Sequence, residues 1–378
     1  MAKTCAVICE LNPLHKGHEY IFQKARERAD TVVAIMSGNF VQRGECAVFH
    51  KYARAEAALA AGADLVLELP FPWSAAPAEF FAAGGMRVAA AIGADAVVFG
   101  SECGDIETLK KCAEISSGEA FLSEIESQYG DQVGYAAARQ RAAEKLCPEF
   151  SEVFSSPNDM LALEYIKNAE KCGYEGDFYC AERLSDDGYM GAADIRKAIF
   201  SGEHDSMINH IPEGIQNPFS ESLRNIARPS KLFDIEYSLF RLSRTFSNTF
   251  DSESGIVNRL KKCADGSKNG DEMLKAAATK KYTDARLRRA ALFAACGITE
   301  DDLRELPRFT VLLGANEKGR RILKNLSSED FTVVTKPSVD FEDPQYIRET
   351  AADKLYTLCC DENLEASFFI RQSPVVLS

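Results

Sequence analysis

Long apolar runs are missing from this sequence. The alanine-rich stretch from Phe80 to Gly100 is interrupted by Arg87 and Asp95, so no transmembrane helix is expected. The apolar run near the amino end is too short for a signal peptide and is followed by Glu10, which gives the expectation of a cytoplasmic protein. No Cys-x-x-Cys pair occurs either. The 12 cysteines are scattered, and the one adjacent pair, Cys359 and Cys360, cannot easily bridge within a regular element. Buried, reduced thiols are expected, with no structural zinc or other dedicated metal site. Positive charge is also short: 44 Lys and Arg against 57 Asp and Glu leave a net charge of −13, which over the whole chain argues against a nucleic-acid partner.

The distribution of charge changes that reading. Between Gly255 and Leu326 there are 16 basic against 9 acidic residues, so a basic region sits inside an acidic protein. It either binds a polyanion or is a solvated helix surface. At 378 residues and 46% hydrophobic composition, the chain can bury a large core and form two domains.

Four short apolar runs, Thr4 to Cys9, Thr31 to Met36, Asp64 to Leu69 and Asp95 to Gly100, alternate with helical stretches such as KYARAEAALAAGA. Regular alternation predicts an α/β class, a Rossmann-like parallel sheet with ligands off the carboxyl ends of its strands. The segments following those strands are ELNPLHKGH, SGNFVQRGE, LPFPW and GSE. Expected boundaries are a nucleotide-binding domain over 1–203, a turn-rich linker over 204–230 and a mainly helical domain over 231–378, with FTVLLG and FTVVTK as possible short strands.

The first of those loops carries two of the five histidines, His15 and His18, around Gly17. A strand, a tight turn with Asn12 and Pro13, and a helix start together make an anion site from unpaired N–H groups and the helix dipole. The plainer alternative is that one imidazole caps the turn and the other is solvated.

The segments NPLHKGHEY, MSGNFVQRGE, DLVLELPF, VVFGSECGD, SPNDMLALEY, KKYTDARLRR and GANEKGRRIL together resemble the tRNA(Met) cytidine acetate ligase family of the HxGH nucleotidylyltransferase superfamily, from the first strand to about Ser338. The resemblance implies ATP-dependent formation of acetyladenylate, then acetylation of the exocyclic amine of the wobble cytidine of elongator tRNA(Met). It implies His15, His18 and Arg196 as catalytic groups. ATP would be held by Glu10, Asn12, Pro13, His15, Gly17, His18, Gly100, Asn158 and Arg183, with magnesium arriving on its phosphates. From position on the sheet edge, Ser37, Gly38 and Asn39 are candidates for an acetate pocket, and Gln42 and Arg43 for nucleotide or tRNA contacts. Lys280, Lys281, Arg286, Arg288, Arg289, Lys318, Arg320 and Arg321 are candidates for tRNA phosphates, and Tyr282 for stacking.

One segment departs from the pattern. The family's hydroxyl-rich turn before the final arginine is GAADIR here, with Gly191, Ala192, Ala193 and Asp194, and Tyr189 is followed by no histidine. Two other functions therefore stay open: a nucleotidylyltransferase acting on a small phosphorylated metabolite, and a nucleotide- or tRNA-binding relative without turnover.

Overall fold

The computed structural model describes residues 3–130, 133–182, 190–242, 246, 248–323, 326, 330–337 and 342–377. Ten strands occur among them: β1 Thr4–Cys9, β2 Thr31–Ser37, β3 Phe40–Val41, β4 Glu45–Cys46, β5 Leu65–Leu69, β6 Ala96–Ser101, β7 Asp177–Glu182, β8 Phe309–Ala315, β9 Thr332–Val334 and β10 Val375–Val376. Strands β1, β2 and β5 are buried at every residue, as apolar runs must be where helices cover both faces of a sheet.

The sheet runs β10-β8-β5-β2-β1-β6-β7, with β3 and β4 forming a separate two-stranded pair. Strands β5, β2, β1, β6 and β7 are mutually parallel. Their carboxyl ends therefore share one edge, and the loops expected to hold the site lie there.

The carboxyl-terminal portion is mainly helical, yet it is not a separate layer. Strand β8 pairs antiparallel with β5, placing Ala315 opposite Leu65, and β9 and β10 then pair with different halves of β8. Residues of the expected second domain thus complete the sheet of the first. The expected linker over 204–230 also packs: Ile211, Ile215, Phe219 and Ile226 are buried, Phe219 lies edge-on to Phe49 at 5.1 Å, and Ala227 N–H donates to the Val48 carbonyl. Its turn residues mark short helical pieces laid on the core, since its isoleucines and phenylalanine give it apolar surface to bury.

The stretch 272–298 has helical periodicity throughout. Two helices, Gly270–Ala277 and Asp284–Cys296, form there instead. Between them Thr279 N–H donates to the Tyr282 carbonyl and Tyr282 N–H to Thr279 Oγ1, a local side-chain closure that competes with helical hydrogen bonding.

One buried charge cluster pins the helix Pro344–Thr357 to the sheet. Lys51 Nζ, 2% exposed, reaches Glu68 at 2.8 Å, Glu349 at 3.1 Å and Asp353 at 2.8 Å. Asn39 joins them, donating to Asp353 and accepting from Lys51 N–H, while Glu349 accepts from Phe71 N–H. Burial opposes the charge on Lys51, but the three carboxyls outweigh it and hold the ammonium well above its ordinary value. Burial likewise pushes Glu68 well up and Asp353 up to about 6, because carboxyls gathered away from water resist taking their charged form.

Removing the single cation of such a cluster strands buried carboxylates. Lys51→Met is expected to cost about 3–5 kcal/mol, measured by urea unfolding at pH 7. Because the cost comes from ionised carboxyls, it should shrink below about pH 6, where Asp353 takes up its proton.

Candidate active site

Strand β1 ends at Cys9, and the chain turns through Glu10 to His15 before the helix Lys16–Arg26 begins. Leu11, fully buried, takes the left-handed region at φ 50°. His15 is the helix N-cap: its Nδ1 accepts from Gly17 N–H at 3.0 Å, and His18 Nδ1 accepts in return from His15 N–H at 3.3 Å. The ring centroids lie 4.1 Å apart. Since both Nδ1 atoms accept, each neutral ring carries its proton on Nε2, which makes two N–H donors at a helix amino end. Burial and the neighbouring His15 keep the His18 pKa well below the ordinary value of 6.5. A β-carbon at Gly17 would sit 2.8 Å from His15 Cε1, so the glycine clears room for the imidazole cap.

Around this pair the loops are laced together. Glu10 accepts from Gln42 N–H at 2.8 Å, and burial raises its pKa despite the nearby Arg196, Arg43 and Arg54. Asn12, 3% exposed, accepts from Val48 N–H through Oδ1, so its carboxamide oxygen organises the loop. The Asn12 carbonyl accepts from Arg196 Nη1 at 2.6 Å. Arg196, on the helix Ala192–Ser201, is thereby brought across 184 positions to the histidine turn. Pro13 follows Asn12 through a cis bond in the same turn.

Two further expected residues meet at the end of β6. A β-carbon at Gly100 would make nothing closer than a 3.6 Å contact with Ile21, and its φ is not positive. Neither packing nor backbone conformation requires this glycine. Asn158 opens the helix Pro157–Asn168 and donates to Glu102 at 2.8 Å, while the buried Asp159 accepts from Ser101 Oγ and from the Glu102 and Cys103 N–H groups. Arg183 and Tyr189 lie outside the described residues.

The residues expected to form an acetate pocket lie in the interior. Ser37 and Asn39 are 0% and 2% exposed, and a β-carbon at Gly38 would collide with Glu68. The Ser37 and Gly38 carbonyls accept from Arg54, and Asn39 belongs to the Lys51 cluster. All three are buried, and Asn39 is tied to the helix Pro344–Thr357 through Asp353.

The basic candidates divide into two groups. Arg286 is paired with Asp251, Arg288 with Glu45, and Arg289 donates to the Gln42 carbonyl. Burial lowers the Arg289 pKa to about 10. Lys280 is exposed and Lys281 lies 5.6 Å from the Tyr282 ring. By contrast Lys318, Arg320 and Arg321 lie on the helix Glu317–Leu323, whose Gly319 abuts Asp64 just before β5. That is the opposite edge of the sheet from the histidines, so a single basic surface joining all eight residues does not form. Arg321 is moreover paired with Glu317. A cavity of about 480 Å³ also opens on that far edge, lined by Lys3, Arg28, Asp95, Asp177 and Tyr179 among others, and it includes none of the expected site residues.

Arg54 was not among the expected site residues. It is 1% exposed and donates to the carbonyls of Glu10 at 2.6 Å, Ser37 at 3.0 Å, Phe49 at 2.9 Å and Gly38. A signal for it exists: in KYARAEAALA, Lys51 and Arg54 fall at i and i+3 with Ala55 and Ala58, on the face that must be buried.

A parallel sheet whose first strand-to-helix turn presents paired imidazole donors and an arginine defines a nucleotide-activating α/β transferase. The chain belongs to the HIGH Nucleotidyl Transferase family, whose model matches residues 2–368, and within it to the tRNA(Met) cytidine acetate ligases. It is 32% identical to the tRNA(Met) cytidine acetate ligase of Caldanaerobacter subterraneus subsp. tengcongensis over 93% of this chain and 94% of that protein. To the protein of that name from Caldicellulosiruptor bescii it is 33% identical, over 91% and 90%. The crystal structure of Thermotoga maritima TmcAL bound with α-thio ATP superposes with a TM-score of 0.90 at 28% identity, covering 99% of both chains.

Histidine NMR should show His15 and His18 as neutral Nε2–H tautomers, with His18 still neutral at pH 6.5; a charged His18 there would contradict the geometry. Gly17→Ala is expected to expel the His15 ring from its cap, costing about 1 kcal/mol in thermal unfolding and weakening ATP binding measured by calorimetry.

Proposed function

We propose that this chain ligates acetate to cytidine in tRNA(Met) at the expense of ATP. The observation that carries the proposal is the convergence of His15, His18 and Arg196 on one turn of a chain related to such ligases along nearly its whole length. In the first step an acetate oxygen attacks the α-phosphorus, the bond to the bridging oxygen breaks, and pyrophosphate leaves. In the second, the cytidine N4 amine attacks the acetyl carbonyl, AMP leaves, and the amine gives up a proton.

In-line displacement at phosphorus concentrates charge on non-bridging oxygens, so positioned donors matter more than an acid–base pair. Neutral imidazole N–H groups at the amino end of the helix Lys16–Arg26 suit that role. They stabilise charge without holding it so tightly as a cation would before the step. Arg196 adds positive charge beside the turn, with Glu45 and Glu10 as its acidic neighbours. Gly100 leaves room for the nucleoside, and Asn158 is presented beside it on Glu102.

Magnesium would accompany ATP as part of the substrate. Among the described residues, the one group of three acidic side chains spaced to hold an ion is Glu68, Glu349 and Asp353, and Lys51 fills it.

Purified protein incubated with ATP, magnesium, radiolabelled acetate and bacterial tRNA should place label in acetylcytidine upon nucleoside analysis. His18→Ala should lower the rate roughly 100- to 1,000-fold, the scale of losing one preorganised donor. Absence of label from a wild-type chain that binds ATP and tRNA would overturn the proposal.

A further inference from the structure

Few large rings stay exposed on this chain, and two of them stand together. Tyr129 is 37% and Tyr135 52% exposed, and their rings meet edge-on with centroids 6.0 Å apart at 78°. Tyr129 follows the helix Glu119–Gln128, and Tyr135 begins the helix Tyr135–Leu146. Their apolar surface could have been turned inward beside Ala138 and Ala142, which are fully buried. It faces solvent instead.

Arg286 and Lys280 border the pair. Arg286 Nη1 donates to the Tyr129 hydroxyl at 3.3 Å while Asp251 holds its guanidinium at 2.6 and 2.7 Å. The same guanidinium lies 5.5 Å from the centre of the Tyr282 ring, and Tyr282 is fixed by donating to the Ser254 carbonyl. Gly134 rests on the Lys280 carbonyl, where a β-carbon would lie 2.8 Å from the oxygen, so exposed Lys280 is held beside Tyr135. Asp251 neutralises Arg286, which leaves that arginine as the strut that orients Tyr129. Exposed Lys280 stands at the rim, and Lys281 lies 5.6 Å from the Tyr282 ring.

The patch connects directly to the active site. Arg288 and Arg289, on the same helix as Arg286, pair with Glu45 and with the Gln42 carbonyl, and Gln42 N–H binds Glu10 at the end of β1. One helix thus carries both the strut of the aromatic pair and the contacts to the loop behind the histidine turn.

We propose that Tyr129 and Tyr135, with Lys280 and Lys281 beside them, form a stacking platform for unpaired nucleotides of the RNA substrate. Single-stranded RNA is bound where flat exposed rings meet flanking cations, because every base offers a face to stack and every nucleotide a phosphate. A protein partner fits less well, since lysine is depleted at protein interfaces. The inference rests on the tRNA reading, as a deepening of it.

The test uses the full chain and three variants, Tyr135→Ala, Tyr135→Trp and Tyr129→Phe, with a tRNA(Met) transcript and its isolated anticodon stem–loop as probes. Tyr135→Ala should weaken binding of both RNAs tenfold or more, the size of one base–aromatic stack. Tyr135→Trp should bind as the wild type does, and Tyr129→Phe should fall between. Acetate-dependent exchange between ATP and pyrophosphate, assayed without RNA, should be unchanged in all three. RNA affinity within twofold of wild type for Tyr135→Ala would overturn the platform and point to a protein partner. Loss of exchange together with binding would also overturn it, by showing a merely structural role. Failure of exchange in the wild-type chain would count against the adenylation reading, while the platform is judged by RNA binding alone.

Discussion

A guanidinium without a carboxylate partner organises this molecule. Arg54 is buried and spends its donors on main-chain carbonyls: Glu10 beyond β1, Ser37 and Gly38 at the end of β2, and Phe49 before its own helix. Burial pulls its pKa below the ordinary value, so the charge persists only because those oxygens replace its hydration. The parallel strands bring their carboxyl ends to one edge. Arg54 sets how the loops leave that edge, and with them the turn that holds His15 and His18.

Three positions earlier, Lys51 fastens the same helix to residues nearly 300 positions away. The two cations divide the work. Arg54 fixes the loops around the histidine turn, and Lys51 closes the helix Pro344–Thr357 over Ser37, Gly38 and Asn39. This explains why the end of β2, which looks available for a ligand in a list of loop residues, is interior. The proposed chemistry rests instead on the turn after β1 and on the arginine that the helix Ala192–Ser201 brings to it. Under the proposed chemistry neutral imidazoles suit that place, because His18 is held well below its ordinary pKa, and donors that are already oriented need no reorganisation when charge develops on phosphate.

The framework of the fold was legible in the sequence where the signal was local. The apolar runs at Thr4, Thr31, Asp64 and Asp95 correspond to β1, β2, β5 and β6 within a residue or so, since a strand buried on both faces leaves little choice of composition. The HKGH turn was legible for the same reason: strand, turn residues and cap all lie within a dozen positions. Less was legible where partners are remote. Runs such as FTVLLG show a possible strand but cannot show that it pairs antiparallel with β5. The basic residues of the carboxyl-terminal region read as one cluster by count, whereas the sheet sends Lys318, Arg320 and Arg321 to its opposite edge.

By itself, the sequence determined the main strands of the parallel core and the capped turn that carries His15 and His18, because periodicity and capping are short-range properties of the chain. Only the tertiary structure decided which charged groups are buried and which rings stay exposed. The fates of Lys51, Arg54, Tyr129 and Tyr135 turn on neighbours drawn from Ser37, Asp251, Arg286, Glu349 and Asp353. Burial of a charge is tolerated where such neighbours replace water, and exposure of a ring persists where the surrounding surface leaves it uncovered; both are settled by packing across the fold.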